Sequence, residues 1–139
     1  MRYSEYFNSA SAKTLATVDE NGHPDVCPCG TATMSDEYTI IIGCVGIVRS
    51  RENIRKLKKA TFMAQEPIKP EYWKQYQATG EKPYPAGYRF YCTFIEETED
   101  KTLMIPIYER LKDRVGERIA EKLVSVMKFK VEEIREIDF

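Results

Sequence analysis

The residues best suited to chemistry form one short run, Arg49-Ser50-Arg51-Glu52-Asn53-Ile54. It follows an apolar run, Ile40-Ile41-Ile42-Gly43-Cys44, that predicts a buried strand, and it leads into a basic helical pattern. Ser50 is a favourable N-cap, so the helix is expected to begin there. A helix N-terminus offers unpaired N–H groups and the positive end of the dipole, which favour an anion such as phosphate. Arg49 and Arg51 would add two guanidinium groups that match phosphate oxygens. An ordinary capped surface helix with solvated basic residues is the alternative on spacing alone.

The remaining reactive side chains indicate no second site. The four cysteines, Cys27, Cys29, Cys44 and Cys92, form no C-x-x-C pair, and the only histidine, His23, lies in an expected turn. We therefore predict reduced, mostly buried thiols and no metal site. The acidic run from Glu96 to Lys101 is expected to be a solvated turn. Neither a general base nor a nucleophile is identified, so the catalytic residues stay unknown.

Composition bounds the class of protein. The chain has 139 residues, enough for a single domain over 1–139, with 21 basic and 22 acidic residues. This balance argues against a general nucleic-acid or membrane-surface binder. The basic run 49–59 contains no aromatic residue to stack on bases, so no nucleic-acid partner is expected. No apolar run approaches a membrane span, and the N-terminus lacks the apolar region of a signal peptide, so we expect a cytoplasmic protein.

Turn signals and apolar alternation outline the elements that would position the site. Asn21-Gly22 predicts a hairpin, and Pro28 predicts an edge, a bulge or an unpaired stretch in the second strand. The predicted strands cover about 14–18, 25–34, 38–44, 61–64, 88–95 and 129–132. The predicted helices cover about 2–11, 51–59 and an apolar stripe from 107 to 127. This order predicts a mainly β, α+β fold, a six-stranded antiparallel split barrel with flanking helices.

An insertion at about 66–86 interrupts this pattern with four prolines and several aromatic residues. Residues 70–78 could form two helical turns with Pro70 near the start. One interpretation is a flap in which Trp73, Tyr76 and Tyr84 cover a bound ring. The other is an insertion that buries Trp73 and Tyr76 for its own stability.

Two motifs in order resemble the pyridoxamine 5′-phosphate oxidase-like, FMN-binding split-barrel family. The first runs from Lys13 to Pro28: a strand ending in Ala-Thr-Val, an acidic Asn-Gly hairpin, then Pro-x-Val-x-Pro. The second is Arg49-Ser50-x-x-Asn53-Ile54, a basic residue, Ser or Thr, two residues, Asn and an aliphatic at a helix start. The resemblance covers about residues 12–65 well and is loose from 87 onward.

The resemblance implies a homodimer with two FMN sites at its interface. It also implies two groups of cofactor-binding residues. Those on the strand beside the isoalloxazine ring are Val26, Cys27, Pro28 and Cys29. Those at the strand end and helix start near the ribityl chain and phosphate are Gly43, Cys44, Val48, Arg49, Ser50 and Asn53. Members that oxidise pyridoxamine phosphate carry Arg at the position of Cys27 and a basic residue near Ala32. Both are absent here, so the vitamin B6 oxidase reaction is not expected.

The function expected on this basis is that of an FMN-dependent oxidoreductase, a flavoprotein acting on a small molecule by hydride or electron transfer. The alternative is a non-catalytic flavin or deazaflavin binder or carrier. A deazaflavin cofactor also brings phosphate, so Arg49 and Ser50 do not separate it from FMN. Haem is disfavoured, because it needs an axial histidine and His23 lies in a turn.

Overall fold

A computed structural model gives the structure of the protein and describes residues 2–138. Seven strands and five helices make up this part of the chain. The strands are β1 (Ala12–Val18), β2 (Pro24–Pro28), β3 (Thr33–Asp36), β4 (Thr39–Gly43), β5 (Lys59–Gln65), β6 (Gly87–Thr98) and β7 (Val126–Glu136). The helices are α1 (Tyr3–Ser9), α2 (Val48–Leu57), α3 (Pro70–Thr79), α4 (Lys101–Val115) and α5 (Glu117–Ala120).

The strands form one antiparallel sheet in the order β2-β1-β5-β6-β7-β4-β3. Strands β2 and β3 therefore lie at opposite edges of the sheet, although only residues 29–32 separate them in the chain. A segment of this length spans at most about 18 Å, so the sheet must curl until its two edges approach each other. The predicted mainly β split barrel is confirmed, with seven strands instead of six.

Pro28 explains the additional strand. The single predicted strand 25–34 is two strands, because β2 ends at Pro28 and the chain turns through Cys29 to Ala32 before β3 begins. Proline has no N–H to donate to a ladder, so it stands at an edge. Within residues 2–138, strand β2 pairs only with β1, with Thr14 opposite Pro28, so the edge is the one of the three predicted alternatives that is observed.

The core fills the inside of the curled sheet. Phe7 of α1 and Phe62, Phe90 and Phe129 from three neighbouring strands are fully buried. Their rings meet edge to face, with centroids 5.0 Å apart for Phe7–Phe90 and 5.2 Å apart for Phe62–Phe129. The predicted N-terminal helix is thus confirmed, and it closes one end of this core.

The apolar stripe from 107 to 127 is not one helix. Helix α4 ends at Val115 because Gly116 adopts φ 97° and ψ 162°, a conformation that only glycine adopts readily. The short helix α5 follows, and Met127 already belongs to β7. The four-residue spacing continued across a break that the side-chain pattern does not show. No helix within residues 2–138 is long and apolar enough to cross a membrane.

The insertion contains α3, as predicted, and it starts where β5 ends. Tyr72 is buried and packs edge to face against Trp73 and Tyr84, at 5.2 and 5.0 Å between centroids. The insertion therefore has a small aromatic centre of its own, although Trp73 and Tyr84 remain 45% and 43% exposed.

Candidate functional site

Helix α2 begins three residues earlier than the predicted range 51–59. Ile47 is the N-cap residue, and the first intrahelical bond runs from the Arg51 N–H to the Ile47 carbonyl at 2.9 Å. The N–H groups of Val48, Arg49 and Ser50 consequently have no acceptor among the described residues. Ser50 is not the N-cap. The predicted free helix terminus exists, but an apolar residue stands at its cap.

Ser50 and Asn53 point inward and fix α2 to the sheet. Both are buried. The Ser50 hydroxyl donates to Asp25 Oδ2 at 3.0 Å and lies 3.5 Å from Cys27 Sγ. The Asn53 amide donates to Thr17 Oγ1 at 3.1 Å. The Ser-x-x-Asn part of the motif therefore holds the helix against β1 and β2.

Arg51 and Arg55 are held by one carboxylate. Arg51 Nη2 lies 2.7 Å from Glu97 Oε2, and Arg55 Nε lies 2.7 Å from Glu97 Oε1. The Ser125 hydroxyl also donates to Glu97. Burial alone raises the pKa of Glu97, but hydrogen bonds from Arg55, Ser125 and Arg51 outweigh it and lower that pKa to about 2. Glu97 thus belongs to β6 and to an ion-pair cluster, which corrects the prediction of a solvated turn. It also engages Arg51, predicted as a phosphate ligand.

Arg49 remains available. It is exposed, and no carboxylate within residues 2–138 lies at ion-pair distance from it. It borders an open groove of about 650 Å³ between α2 and the β1–β2 hairpin. The groove is lined by Asp19, Glu20, Asn21, Val48, Arg49, Glu52, Asn53 and Lys56.

The hairpin wall of this groove is well fixed. Asp19 Oδ1 accepts the N–H groups of Asn21 at 2.8 Å and His23 at 2.9 Å. The bond from the His23 backbone is the main reason that the pKa of Asp19 is lowered, so Asp19 is ionised at neutral pH. Lys56 pairs with Glu20 at 2.9 Å across the groove. The groove therefore carries charges of both signs.

Strand β2 supplies a free backbone edge beside α2. Asp25 and Cys27 face the helix, while Pro24, Val26 and Pro28 are exposed, and Val26 is 65% exposed. The unpaired side of an edge strand presents N–H and C=O groups to a ligand or to another chain. This arrangement is compatible with the resemblance, which implies that the ring is contacted mainly by backbone groups.

The other implied site residues lie inside the protein. Cys29, Gly43 and Cys44 are buried. A Cβ on Gly43 would stand 2.8 Å from Ile107 Cγ2 and 3.0 Å from Leu123 Cδ1, because α4 and the segment after α5 cover this strand end. The structure thus groups Cys27, Val48, Arg49, Ser50 and Asn53 around the start of α2, with Val26 and Pro28 on the adjoining edge. The buried residues Cys29, Gly43 and Cys44 lie apart from this group.

A phosphate fits this site in part. Three free N–H groups and Arg49 favour an anion at the exposed corner formed by Val48 and Arg49. On the Ser50 side, the Asp25 carboxylate disfavours an anion, because it already accepts the hydroxyl hydrogen bond that the sequence analysis assigned to phosphate. Sequence reasoning missed Asp25, although its place in Pro-x-Val-x-Pro, alternating with the exposed Val26, could have indicated that it faces the helix.

The aromatic insertion does not line the groove. Helix α2 leads into β5 at Lys59, whereas α3 follows its other end at Gln65, about 20 Å away along the strand. A flap over a bound ring therefore stays a prediction.

No protein-family model and no curated protein matches the chain. Solved structures do. An FMN-binding protein from Syntrophomonas wolfei subsp. wolfei is similar over 99% of this chain and 85% of its own, with a TM-score of 0.78 and 19% identity. An F420 reductase is similar over 97% of both chains, with a TM-score of 0.66 and 14% identity. HutZ, the heme storage protein from Vibrio cholerae, is similar over 95% of this chain and 89% of its own, with a TM-score of 0.57 and 18% identity.

These likenesses show the fold. The chain has the fold of the pyridoxamine 5′-phosphate oxidase-like, FMN-binding split barrels, as the sequence motifs predict. The names of the similar proteins refer to FMN, F420 and heme, so the shared fold does not select one cofactor.

Proposed function

We propose that this chain binds FMN in the groove at the start of α2 and acts as a flavin-dependent oxidoreductase on a small molecule. The observation that carries the proposal is the combination of three unpaired N–H groups on α2 with the unpaired Arg49 beside them. Together they form a place for the terminal phosphate of the cofactor.

The surroundings support this location. A groove of about 650 Å³ lies within the range of about 300–1,000 Å³ typical of small-molecule sites. It adjoins the free edge of β2, where backbone groups can reach the polar edge of a flavin ring. FMN would supply hydride or electron transfer when bound. The contribution of the chain is to hold the phosphate at Val48 and Arg49 and to orient the ring along β2.

A homodimer is part of the proposal. Val48 on α2 lines the groove and Val26 lies on the adjoining edge strand β2, and these side chains are 73% and 65% exposed. A second copy of the chain would bury these two side chains, pair with or cover the open edge of β2, and exclude water from the ring. The groove is open on this side in a single chain.

The competing cofactors differ in what they require. A deazaflavin cofactor carries a phosphate as FMN does, so the same groove would hold it whether or not the protein is an enzyme. Haem needs an axial ligand, and His23, the only histidine of the chain, is exposed with its Nδ1 3.4 Å from Asp19. The arrangement around His23 gives no buried histidine for haem, so FMN remains the first ligand to test.

The experiment is a titration of the purified protein with FMN, followed by flavin fluorescence, for the wild type and two single variants. Arg49→Ala removes the proposed phosphate contact, and Arg118→Ala removes an exposed arginine on α5 as a matched control. A charge-assisted contact contributes about 1.5–3 kcal/mol, so Arg49→Ala should weaken FMN binding by more than tenfold. Arg118→Ala should leave the affinity within about twofold. Equal FMN affinity in wild type and a folded Arg49→Ala variant would refute the site.

Three further measurements separate the alternative cofactors, oligomeric states and functions. Tighter binding of F420 or haem than of FMN would refute FMN as the cofactor. Sedimentation with and without FMN reports the dimer, and reduction of bound FMN by NADH or NADPH, with acceptors added, reports turnover.

A further inference from the structure

A second and smaller cavity lies at the gap in the barrel, away from the α2 groove. Its volume is about 210 Å³. The crossing segment 29–33 forms its floor, β1 and α1 form one wall, and α4 forms the other. Its lining residues are Asn8, Lys13, Gly30, Thr31, Thr33, Ile107, Arg110, Leu111 and Arg114. None of them lines the α2 groove.

The charges of this cavity are all positive. Lys13, Arg110 and Arg114 line it, and no carboxylate does. Within residues 2–138, none of these three cations lies at ion-pair distance from a carboxylate. By contrast, Arg51, Arg55 and Lys56 around α2 all have carboxylate partners.

Lys13 is held in place rather than extended into solvent. Its side chain is half-buried, and its Nζ donates to the Ala32 carbonyl at 2.9 Å and lies 5.3 Å from the centre of the Phe7 ring. An ammonium group has three donors, so two remain for a ligand. Burial is the main cause of the lowered pKa of Lys13, and the charges of Arg114 and Arg110 lower it further. No carboxylate in the described part of the chain offsets the repulsion among these three groups.

The two arginines reach the cavity from one face of α4. Arg110 and Arg114 are four residues apart and so lie one above the other on the helix. Arg114 Nη1 lies 3.4 Å from the Gly30 carbonyl, which ties this side chain to the floor. Each guanidinium keeps several N–H donors free for a planar or tetrahedral oxyanion.

Two of the three neutral polar side chains of the cavity, those of Asn8 and Thr31, are already engaged. Asn8 bonds the Met34 backbone, with Nδ2 3.0 Å from the carbonyl and Oδ1 2.7 Å from the N–H. Thr31 Oγ1 lies 3.0 Å from both the N–H and the carbonyl of Gly43. The groups left to recognise a ligand are therefore the three cations and the hydroxyl of Thr33, which can also donate to an oxyanion, and the ligand must be an anion.

We propose that this cavity binds a small oxyanion, the phosphate or carboxylate group of a small molecule, between Lys13, Arg110 and Arg114. A volume of about 210 Å³ is below the range of about 300–1,000 Å³ in which drug-sized ligands bind, so a whole flavin does not fit. Three convergent cations favour a dianion over a monoanion. The proposal does not depend on FMN binding at α2, because the two sites share no lining residue.

The test uses inorganic phosphate and malonate as probes of the two oxyanion classes, titrated by calorimetry at constant ionic strength, with chloride as the monoanion reference. Saturable binding of either dianion is expected for the wild-type protein, with chloride at least tenfold weaker. The paired substitution Arg110→Ala with Arg114→Ala should weaken binding by at least tenfold. Lys112→Ala removes a cation from the same helix but not from the cavity, and it should leave the affinity within about twofold.

The location is tested by amide NMR during the phosphate titration. Shifts at Gly30, Thr31 and Thr33 are expected, and Arg49→Ala should not change the affinity that they report. Shifts confined to Val48, Arg49 and Ser50 would overturn the cavity site and would instead support the groove at α2. Absence of saturable dianion binding, or equal binding by the folded double variant, would likewise overturn the proposal. Circular dichroism establishes folding, and Arg110→Gln with Arg114→Gln provides the same test with less loss of packing.

Discussion

The Glu97 cluster should control the acid stability of the protein. Glu97 at the end of β6 joins two arginines of α2 to Ser125, the residue just before β7, so one carboxylate ties three parts of the chain together. Glu97→Gln keeps the shape of the side chain and removes its charge. The substitution leaves Arg51 and Arg55 without an ionic partner.

The magnitude follows from the pKa. A lowering from 4.5 to about 2 in the folded protein corresponds to about 3 kcal/mol. Arg55 is 48% exposed, and solvent screens its part of the interaction, so we expect a loss of about 1–3 kcal/mol in the free energy of unfolding at pH 7. Because the folded pKa is lower than the unfolded one, this contribution is present above about pH 4.5. It is lost progressively as the pH falls towards 2.

Urea denaturation between pH 7 and pH 2.5 measures this effect directly. The free energies of unfolding of wild type and Glu97→Gln should differ by about 1–3 kcal/mol at pH 7, and the difference should shrink steadily below about pH 4.5 to a small part of that value at pH 2.5. Glu99→Gln serves as the control, since Glu99 is exposed and has no ion pair within residues 2–138, and its curve should parallel that of the wild type. A wild-type to Glu97→Gln difference that stays constant across this pH range would refute the assignment of the pKa to the cluster.

Two further substitutions test the charge beside the groove and the packing of α4 on β4. Asp25→Asn removes the negative charge beside Ser50 and should relieve about 1 kcal/mol of repulsion, so FMN should bind about fivefold more tightly in the fluorescence titration. Equal or weaker binding would place the phosphate elsewhere. Gly43→Ala places a Cβ 2.8 Å from Ile107 Cγ2 and should lower the free energy of unfolding by about 1–3 kcal/mol. The control is Gly30→Ala, whose Cβ meets no atom within 4 Å and should lower that free energy far less. Similar losses for the two variants in urea denaturation would contradict the close packing of α4 on β4.

Local patterns predicted the elements that local physics determines. Alternating and continuous apolar runs located the strands, and Pro70 and the basic run after Asn53 located α3 and α2. Pro28 was predicted to mark an edge, a bulge or an unpaired stretch, because a missing N–H interrupts the ladder of any sheet, and the structure shows an edge. The prediction of one helix from the apolar stripe was wrong at Gly116, because the backbone conformation of this glycine ends the helix while the apolar spacing continues past it.

The site was less predictable because its contacts connect distant parts of the chain. Ser50 matches a cap pattern locally, but its partner Asp25 lies 25 residues away and turns the hydroxyl inward. Glu97 looks solvated among neighbouring acids, and only its ion pairs with α2, 46 and 42 residues earlier, identify its role. The cationic cavity combines Lys13 with two arginines near the other end of the sequence, and no short motif contains all three.

Burial gives the four thiols unequal chemistry. It raises the pKa of Cys29 and of Cys92 to about 12 and also raises that of Cys44, whereas Cys27 is only half-buried, on the edge strand beside α2. Alkylating reagents attack thiolates, so a small maleimide or iodoacetamide label should attach to this one residue under mild conditions. A fluorophore placed there would sit next to Ser50 and would report occupancy of the neighbouring groove without any engineered cysteine.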